Sequence, residues 1–333
     1  MAKYDLISVG TVGIDIILDI HSATNGVKLN KSSKELMLKS GGKILLDGYR
    51  FSSGQNGANV AVGVSRLGLK STIYAEVGSD DFAKRIVEDL EKEKVDTSNI
   101  KVEKGDSSFS VIIDFQDERT IFAENIKRDH TFDFRNVSAN FVYLTSLSRN
   151  WINAYLETLS FVTSKNIPFA FSPGTTQIED KDKIVFDVIK KAQILFVNKE
   201  EAEMLLDRKK SFTEINEKNY IKKLLFEFKK IGAGNVVITD GENGSYCIDS
   251  REKTYYIHAL STQVLGKTGA GDAYATGFIY GFMKGVDAHL CMAYGSINAS
   301  SVIERIGAQE GLLSSDILED KAKHLESFKA VNF

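Results

Sequence analysis

Short apolar runs rich in β-branched residues alternate with amphipathic segments along most of this chain, and that alternation leaves few folds open to it. Residues 4–10, 71–77, 141–145, 168–171, 194–197 and 236–239 read as strands, several apolar enough to be covered on both faces. Between them, residues 59–67, 82–94, 150–165, 181–190, 199–206 and 215–231 carry the helical period. The expected class is α/β, a mostly parallel central sheet covered by helices on both faces. The last third changes character. Residues 236–239, 245–249 and 253–258 read as antiparallel strands, and 270–284, 288–305 and 315–328 as helices.

Two stretches break the rhythm. Residues 21–53 are polar and contain glycine, with short apolar patches at 44–46 and at Tyr49 and Phe51, while 109–115 and 119–123 read as a hairpin across 116–118. Strands inserted near the start of an α/β domain tend to pair outside the main sheet. The expectation is a small β-sheet lid, formed by about 16–53 and 107–125, over the carboxyl ends of the parallel strands where open α/β sheets hold ligands. With 43% hydrophobic content, no internal repeat and no low-complexity linker, residues 1–333 read as a single domain.

The net charge of −3, with no dense Lys/Arg block, argues against nucleic acid as a partner, since a phosphate backbone calls for a concentrated basic face. The apolar run in the first ten residues is short for a secretory signal, and no stretch approaches a membrane span. Cys247 and Cys291 stand far apart without metal-ligand neighbours and read as reduced core thiols. These observations fit a cytoplasmic protein without a membrane partner.

The chemistry concentrates at Thr268, Gly269, Ala270, Gly271 and Asp272, which open an apolar helical stretch. Small residues ahead of a helix leave backbone N–H groups unpaired at a positive dipole end, which suits a phosphate or a developing oxyanion. An aspartate beside such a site repels the anion the amides attract. Its presence makes sense if it takes a proton from a nucleophile attacking that anion, the logic of a kinase. An ordinary capped helix after a glycine turn fits the same residues taken alone. Gly266, Lys267 and Thr268 imitate the end of a GxxxxGK[ST] phosphate loop, but Ser261 stands where its first glycine belongs.

Other motifs lie in a consistent order. Residues 53–61 read Ser-Gly-Gln-Asn-Gly-Ala-Asn-Val-Ala and lead into Ser65, Arg66, Leu67 and Gly68; Gly78, Ser79 and Asp80 follow. Asn198 and Glu201 form an N-x-x-E pattern, Thr239, Gly241 and Gly244 a T-x-G-x-x-G pattern, and Asp15 follows the first strand. Laid in order, these pieces resemble the ribokinase-like family, the PfkB-type carbohydrate kinases, from about residue 4 to residue 309.

The resemblance implies an ATP-dependent kinase that transfers the γ-phosphoryl group to a hydroxymethyl group of a small sugar of the ribose, fructose or 2-keto-3-deoxygluconate type. The alternatives are a nucleoside kinase on the same fold and a non-catalytic sugar- or nucleotide-binding protein. Asp272 is the implied general base, with the amides of Gly269, Ala270 and Gly271 as anion hole. Asp15, Gly54, Gln55 and Asn59 would meet the acceptor. Asn198, Thr239, Gly241, Gly244, Thr268 and Asn298 would meet ATP, and Glu201 with Asn198 would order Mg²⁺ through water.

Simpler readings of several of these stay open: Asn198 to Glu201 as helix-start chemistry, 239–244 as a hairpin turn, Asp15 as a loop cap and Asn59 as an N-cap. Arg119, Asn125, Lys127 and Arg128 read as solvated surface near the hairpin, or as groups meeting an acidic or phosphorylated substrate. The chain departs from the family pattern in having Gln55 where a second glycine is usual. It also has Gly266, followed by Lys267, in place of a cation-binding aspartate, from which no activation by potassium is expected. The long segment between Asp15 and Gly54 also leaves room for a homodimer through the lid.

Overall fold

Ser71–Val77 is buried at every residue and Ile194–Asn198 at all but its last, the pattern of strands with sheet on both edges and helices on both faces. The computed structural model describes residues 2–20, 25–30, 32–33, 35–116, 118–123, 126–209, 216–325 and 328–333, without the side chains of Glu118 and Arg119. The chain opens with β1 (Ala2–Val9), β2 (Gly13–Asp19), β3 (Val27–Asn30), β4 (Glu35–Leu38) and β5 (Gly48–Gly54), and then forms α1 (Asn56–Arg66). Next come β6 (Ser71–Val77), α2 (Asp81–Lys92), β7 (Ile100–Val102), β8 (Phe109–Phe115), β9 (Glu118–Ala123) and β10 (Val137–Leu144). The central part runs α3 (Ile152–Lys165), β11 (Phe169–Phe171), α4 (Thr175–Asp180), α5 (Lys183–Lys191), β12 (Ile194–Asn198), α6 (Lys199–Leu205), α7 (Glu217–Ile231) and β13 (Asn235–Thr239). The chain ends with β14 (Ser245–Ile248), β15 (Thr254–Ile257), α8 (Ala270–Met283), α9 (Ala288–Ile303), α10 (Ser315–His324) and β16 (Val331–Asn332).

Among the described residues ten strands make the main sheet, in the order β16-β15-β14-β13-β12-β11-β10-β1-β6-β7. Pairing is parallel from β13 through β12, β11, β10, β1 and β6 to β7. It turns antiparallel from β13 through β14 and β15 to β16, as the sequence of the last third anticipates. Along β1 the side chains divide the core: Ile7 and Val9 join the helices α3, α5 and α7 on one face, and Leu6 joins α1, α8 and α9 on the other. Cys247 and Cys291 are free and buried in that second layer.

A separate four-stranded sheet, ordered β5-β2-β8-β9, comes from the two stretches that break the alternation. It begins at Gly13, earlier than the expected residue 16, because β2 pairs with both β5 and β8 from its first residues. Asp117, Glu124 and Asn125, at the turn and end of the expected hairpin, lie outside the described residues, as does Ile215 at the start of the helical segment expected over 215–231. The helix expected over 181–190 divides. Lys181 takes a left-handed conformation (φ 46°) that ends α4, and Asp182 caps α5 through the amide of Ile184. Among the described residues no helix is long and apolar enough to cross a membrane.

Candidate active site

Asp15 lies on β2, whose register sets Ser110 of β8 on one side and Ser52 of β5 on the other. Ser110 donates its hydroxyl to Asp15 Oδ1, so a strand neighbour fixes the buried carboxylate. Gly54 closes β5. A Cβ there would stand 2.9 Å from Asp15 Oδ2 and 3.4 Å from Asn59 Oδ1, so bare backbone leaves the carboxylate and the amide facing one small volume.

Gln55, the next residue, is the N-cap of α1 and has φ 74° and ψ 163°, a conformation that costs a side chain about 1–3 kcal/mol. Its amide nitrogen lies 2.3 Å from where a Cβ would sit on Gly13, so Gln55 packs over the glycine that starts β2. Asn59 is therefore not the N-cap. It lies one turn inside α1, and its backbone N–H bonds to Gln55 O.

The Asn59 side chain joins the acceptor-side residues to the helix start that carries Asp272. Asn59 Nδ2 donates to Asp272 Oδ2 at 2.8 Å, and Gln309 Nε2 donates to Asn59 Oδ1 at 3.0 Å. One turn further along both helices, Gly63 of α1 meets Thr276 of α8. A Cβ at Gly63 would come within 2.7 Å of Thr276 Cγ2. That close seam brings the two polar side chains into hydrogen-bonding range.

Gly269, the N-cap of α8, has φ 78°, and a Cβ on it would stand 2.7 Å from Ala308 Cα. Both conformation and space call for glycine. No side chain caps this helix start, and a Cβ on Gly271 would meet nothing within 4 Å. A first turn without a capping side chain, next to open space at Gly271, fits an anion such as a phosphoryl group. Asp272 is the third residue of the helix. Burial pushes its pKa up to about 7, the Asn59 hydrogen bond opposes that rise, and the negative charges of Asp15 and Glu201 add to it. A carboxylate with a pKa near neutrality is suited to accept a proton during turnover.

Across the main sheet, the register aligns Asn198 at the end of β12 with Thr239 at the end of β13, at the carboxyl ends of neighbouring parallel strands. Asn198 Oδ1 accepts from the Glu201 amide and Glu201 Oε2 accepts from the Asn198 amide, both at 2.8 Å, a reciprocal capping box. Burial raises the Glu201 pKa, the Asn198 amide opposes the rise, and Glu200 adds to it. The 240–244 turn joins β13 to β14, with the Asp240 amide bonded to Gly244 O at 2.8 Å. Gly244 is locked in it, since a Cβ would lie 2.1 Å from Ile257 O, whereas Gly241 is exposed with nothing within 4 Å of its would-be Cβ. Thr268 is half-buried beside Gly269, and Lys267 is exposed.

Two expectations need correction. Asn298 is fully buried; Nδ2 donates to Ala273 O at 2.8 Å and Oδ1 accepts from the Leu313 amide at 3.1 Å. Its amide ties α9 to the start of α8 and to the segment before α10, with no surface turned outward. Arg128 is not a solvated side chain: only 6% of it is exposed, while Lys127 beside it is exposed as expected. The Arg119 side chain and Asn125 lie outside the described residues. Ser110 and Gln309 were not singled out in the sequence. Ser110 shares a strand face with no motif of its own, and Gln309 reaches Asn59 from 250 residues away.

Residues 24–315 match the family model of the pfkB family carbohydrate kinases. The chain belongs to that family. A 5-dehydro-2-deoxygluconokinase of Clostridium botulinum is 27% identical, covering 93% of this chain and 90% of the relative. An uncharacterized sugar kinase of Archaeoglobus fulgidus is 28% identical over 75% of this chain and 98% of its own length. Among solved structures, Arabidopsis thaliana ribokinase complexed with ribose and ATP shares the fold of this PfkB kinase at a TM-score of 0.76. The match covers 96% of this chain and 98% of that one, at 20% identity. A putative ribokinase II from E. coli, in complex with ATP and Mg²⁺, superposes with a TM-score of 0.72 at 18% identity, covering 97% and 100% of the two chains.

Proposed function

We propose that this PfkB kinase transfers the γ-phosphoryl group of ATP to a hydroxymethyl group of a small sugar, with Asp272 as general base. The observation that carries the reading is the α8 start: a carboxylate with a pKa of about 7, oriented by Asn59, on the same helical turn as uncapped amides. As the acceptor oxygen attacks, Asp272 Oδ takes its proton. The first-turn amides of Gly269, Ala270 and Gly271 carry the charge that builds on the phosphoryl oxygens. Asp15, Gly54 and Asn59 hold vicinal hydroxyls of the acceptor, and Gln55 sets the spacing of the strand beneath them.

On the donor side, Asn198, Thr239, Gly241, Gly244 and Thr268 are the proposed ATP contacts. The exposed glycine turn supports this, because a nucleotide can approach its backbone closely. Among the described residues no group of three or more His, Cys, Asp or Glu side chains forms a ready metal cage. Glu201, which gives Oε2 to the Asn198 amide and keeps its second oxygen outside the capping box, would with Asn198 hold Mg²⁺ through water, since that ion keeps several waters. When bound, the ion would neutralise phosphate charge. The small sheet acts as a lid over the acceptor. Its exposed Tyr49, Ile121 and Phe122 support a homodimer through that sheet, which size-exclusion chromatography with light scattering would detect.

The test is ADP release from ATP and Mg²⁺ against ribose, fructose, 2-keto-3-deoxygluconate, fructose 6-phosphate and nucleosides, with Asp272→Asn as control. Turnover that depends on one acceptor and disappears in the variant is expected. ATP binding without turnover on any acceptor would overturn the catalytic reading.

A further inference from the structure

Residues 128–134 alternate strictly between buried and exposed, with Arg128, His130, Phe132 and Phe134 turned inward. They run along β6 in reverse. Phe132 and Phe134 pack on Tyr74, with ring centroids 5.8 and 4.4 Å away, and His130 Nδ1 meets Glu76 two residues further along the strand. One more step in the same direction carries Arg128 past the end of β6, to the carboxyl edge where open α/β sheets bind ligands. Two loops hold it there. Arg128 Nη2 donates to Asp106 O in the loop between β7 and β8, and the backbone of Lys127 forms a parallel β-bridge with Arg149 in the loop that follows β10. Asp106 is two residues before Ser108, whose carbonyl accepts from the Ile14 amide at 3.0 Å, and Ile14 precedes Asp15. Arg128 therefore borders the acceptor side of the site.

A guanidinium so deeply buried is normally paired with a carboxylate. Among the described residues no carboxylate pairs with Arg128. Asp106 O is the acceptor it has, and Nε is buried without one. Glu76, the buried acid nearby in the register, is engaged with His130, whose Nε2 lies 2.8 Å from Ser148 Oγ. We propose that Arg128 receives an anionic group of the acceptor, so that this kinase favours a sugar acid over a neutral sugar. The inference rests on the kinase reading and deepens it. A single guanidinium with its two N–H edges matches one planar carboxylate, whereas a phosphate dianion calls for more positive charge than Arg128 alone supplies.

The experiment measures turnover with 2-keto-3-deoxygluconate, fructose 6-phosphate and fructose in the native enzyme, Arg128→Met and Arg128→Lys. The native enzyme is expected to prefer the acid. In Arg128→Met the acid-to-neutral ratio of kcat/KM should fall by a factor on the order of 10², mostly through KM for the acid, with partial recovery in Arg128→Lys. In parallel, 2-keto-3-deoxygluconate should raise the melting temperature of the native protein and not that of Arg128→Met, a readout independent of turnover. Preference for fructose 6-phosphate would overturn the carboxylate assignment. Equal use of fructose and the acid, or an acid-to-neutral ratio that Arg128→Met leaves unchanged, would overturn the role of Arg128 and leave the kinase reading standing. Loss of stability in Arg128→Met with an unchanged ratio would mean that Arg128 only braces the 103–108 loop. Silence of the native enzyme toward all three acceptors, with no acid-induced melting shift, would count against the kinase reading itself.

Discussion

Helices α6 and α8 both start at the carboxyl edge of the main sheet and both carry an acidic residue three positions after the N-cap, yet they use it in opposite ways. At α6 the cap is Asn198. Its side chain satisfies the Glu201 amide, and Glu201 reaches back to the Asn198 amide, so the carboxylate spends one oxygen on the helix that bears it. At α8 the cap is Gly269, which has no side chain to give, and Asp272 bonds instead to Asn59 of a different helix. The first arrangement closes a helix end; the second leaves the first turn without a capping side chain and ties its carboxylate to α1 across a seam. One atom-level difference, the presence or absence of a capping side chain, separates a helix start closed on itself from one whose carboxylate turns to another helix.

Substitutions can break that contrast, starting with the largest effect. Asp272→Asn should lower kcat by a factor on the order of 10²–10⁴ while ATP affinity, read by calorimetry, changes little. The native enzyme's kcat/KM should decline as pH falls below about 7, where Asp272 gains its proton. Stability has the opposite sign. The carboxyl ionises near 3.9 when unfolded and near 7 when folded, so its contribution is fully present below the first value and is lost as pH rises through the second. Above neutral pH, Asp272→Asn should therefore melt no lower than the native protein, and a clear loss there would contradict a carboxylate held out of water.

Smaller changes sharpen the same comparison. Gly269→Ala forces a side chain into a left-handed position against Ala308 and should cost about 1–3 kcal/mol in denaturant unfolding, with activity falling as the amides shift. Asn198→Ala removes a cap together with a proposed ATP contact and should cost about 1 kcal/mol of stability, with a modest rise in the KM for ATP. A KM unchanged by that substitution would leave α6 purely structural. Last, with Lys267 exposed and Gly266 in place of a carboxylate, replacing sodium by potassium should leave turnover unchanged. A several-fold rise would show a cation site that these two residues do not provide.

What the sequence made legible follows from which forces act locally. Buried parallel strands announce themselves as apolar runs, so the sheet, its antiparallel edge and the second sheet were readable, and so were the glycines of the α8 start. Residues whose role depends on a distant partner were not. A buried asparagine bonded at both ends, such as Asn298, has the same neighbours in sequence as one that meets a ligand. Arg128 looks like solvated charge until the alternation of 128–134 is set against Tyr74 and Glu76 on β6. Gln55 shows a subtler limit: its identity marks a departure, but only the backbone shows that a side chain occupies a conformation suited to glycine and leans on Gly13.

The contact between Gly63 and Thr276 bears on how loss-of-function variants of this protein should be interpreted. Any side chain at residue 63 would wedge α1 away from α8, and the first polar pair to separate would be Asn59 and Asp272, one turn back along the same seam. In a screen for inactive variants, Gly63 would then score among the chemical residues although it has no functional group. Its contribution is the distance between two helices, and an assay of activity alone would mistake that spacing for chemistry.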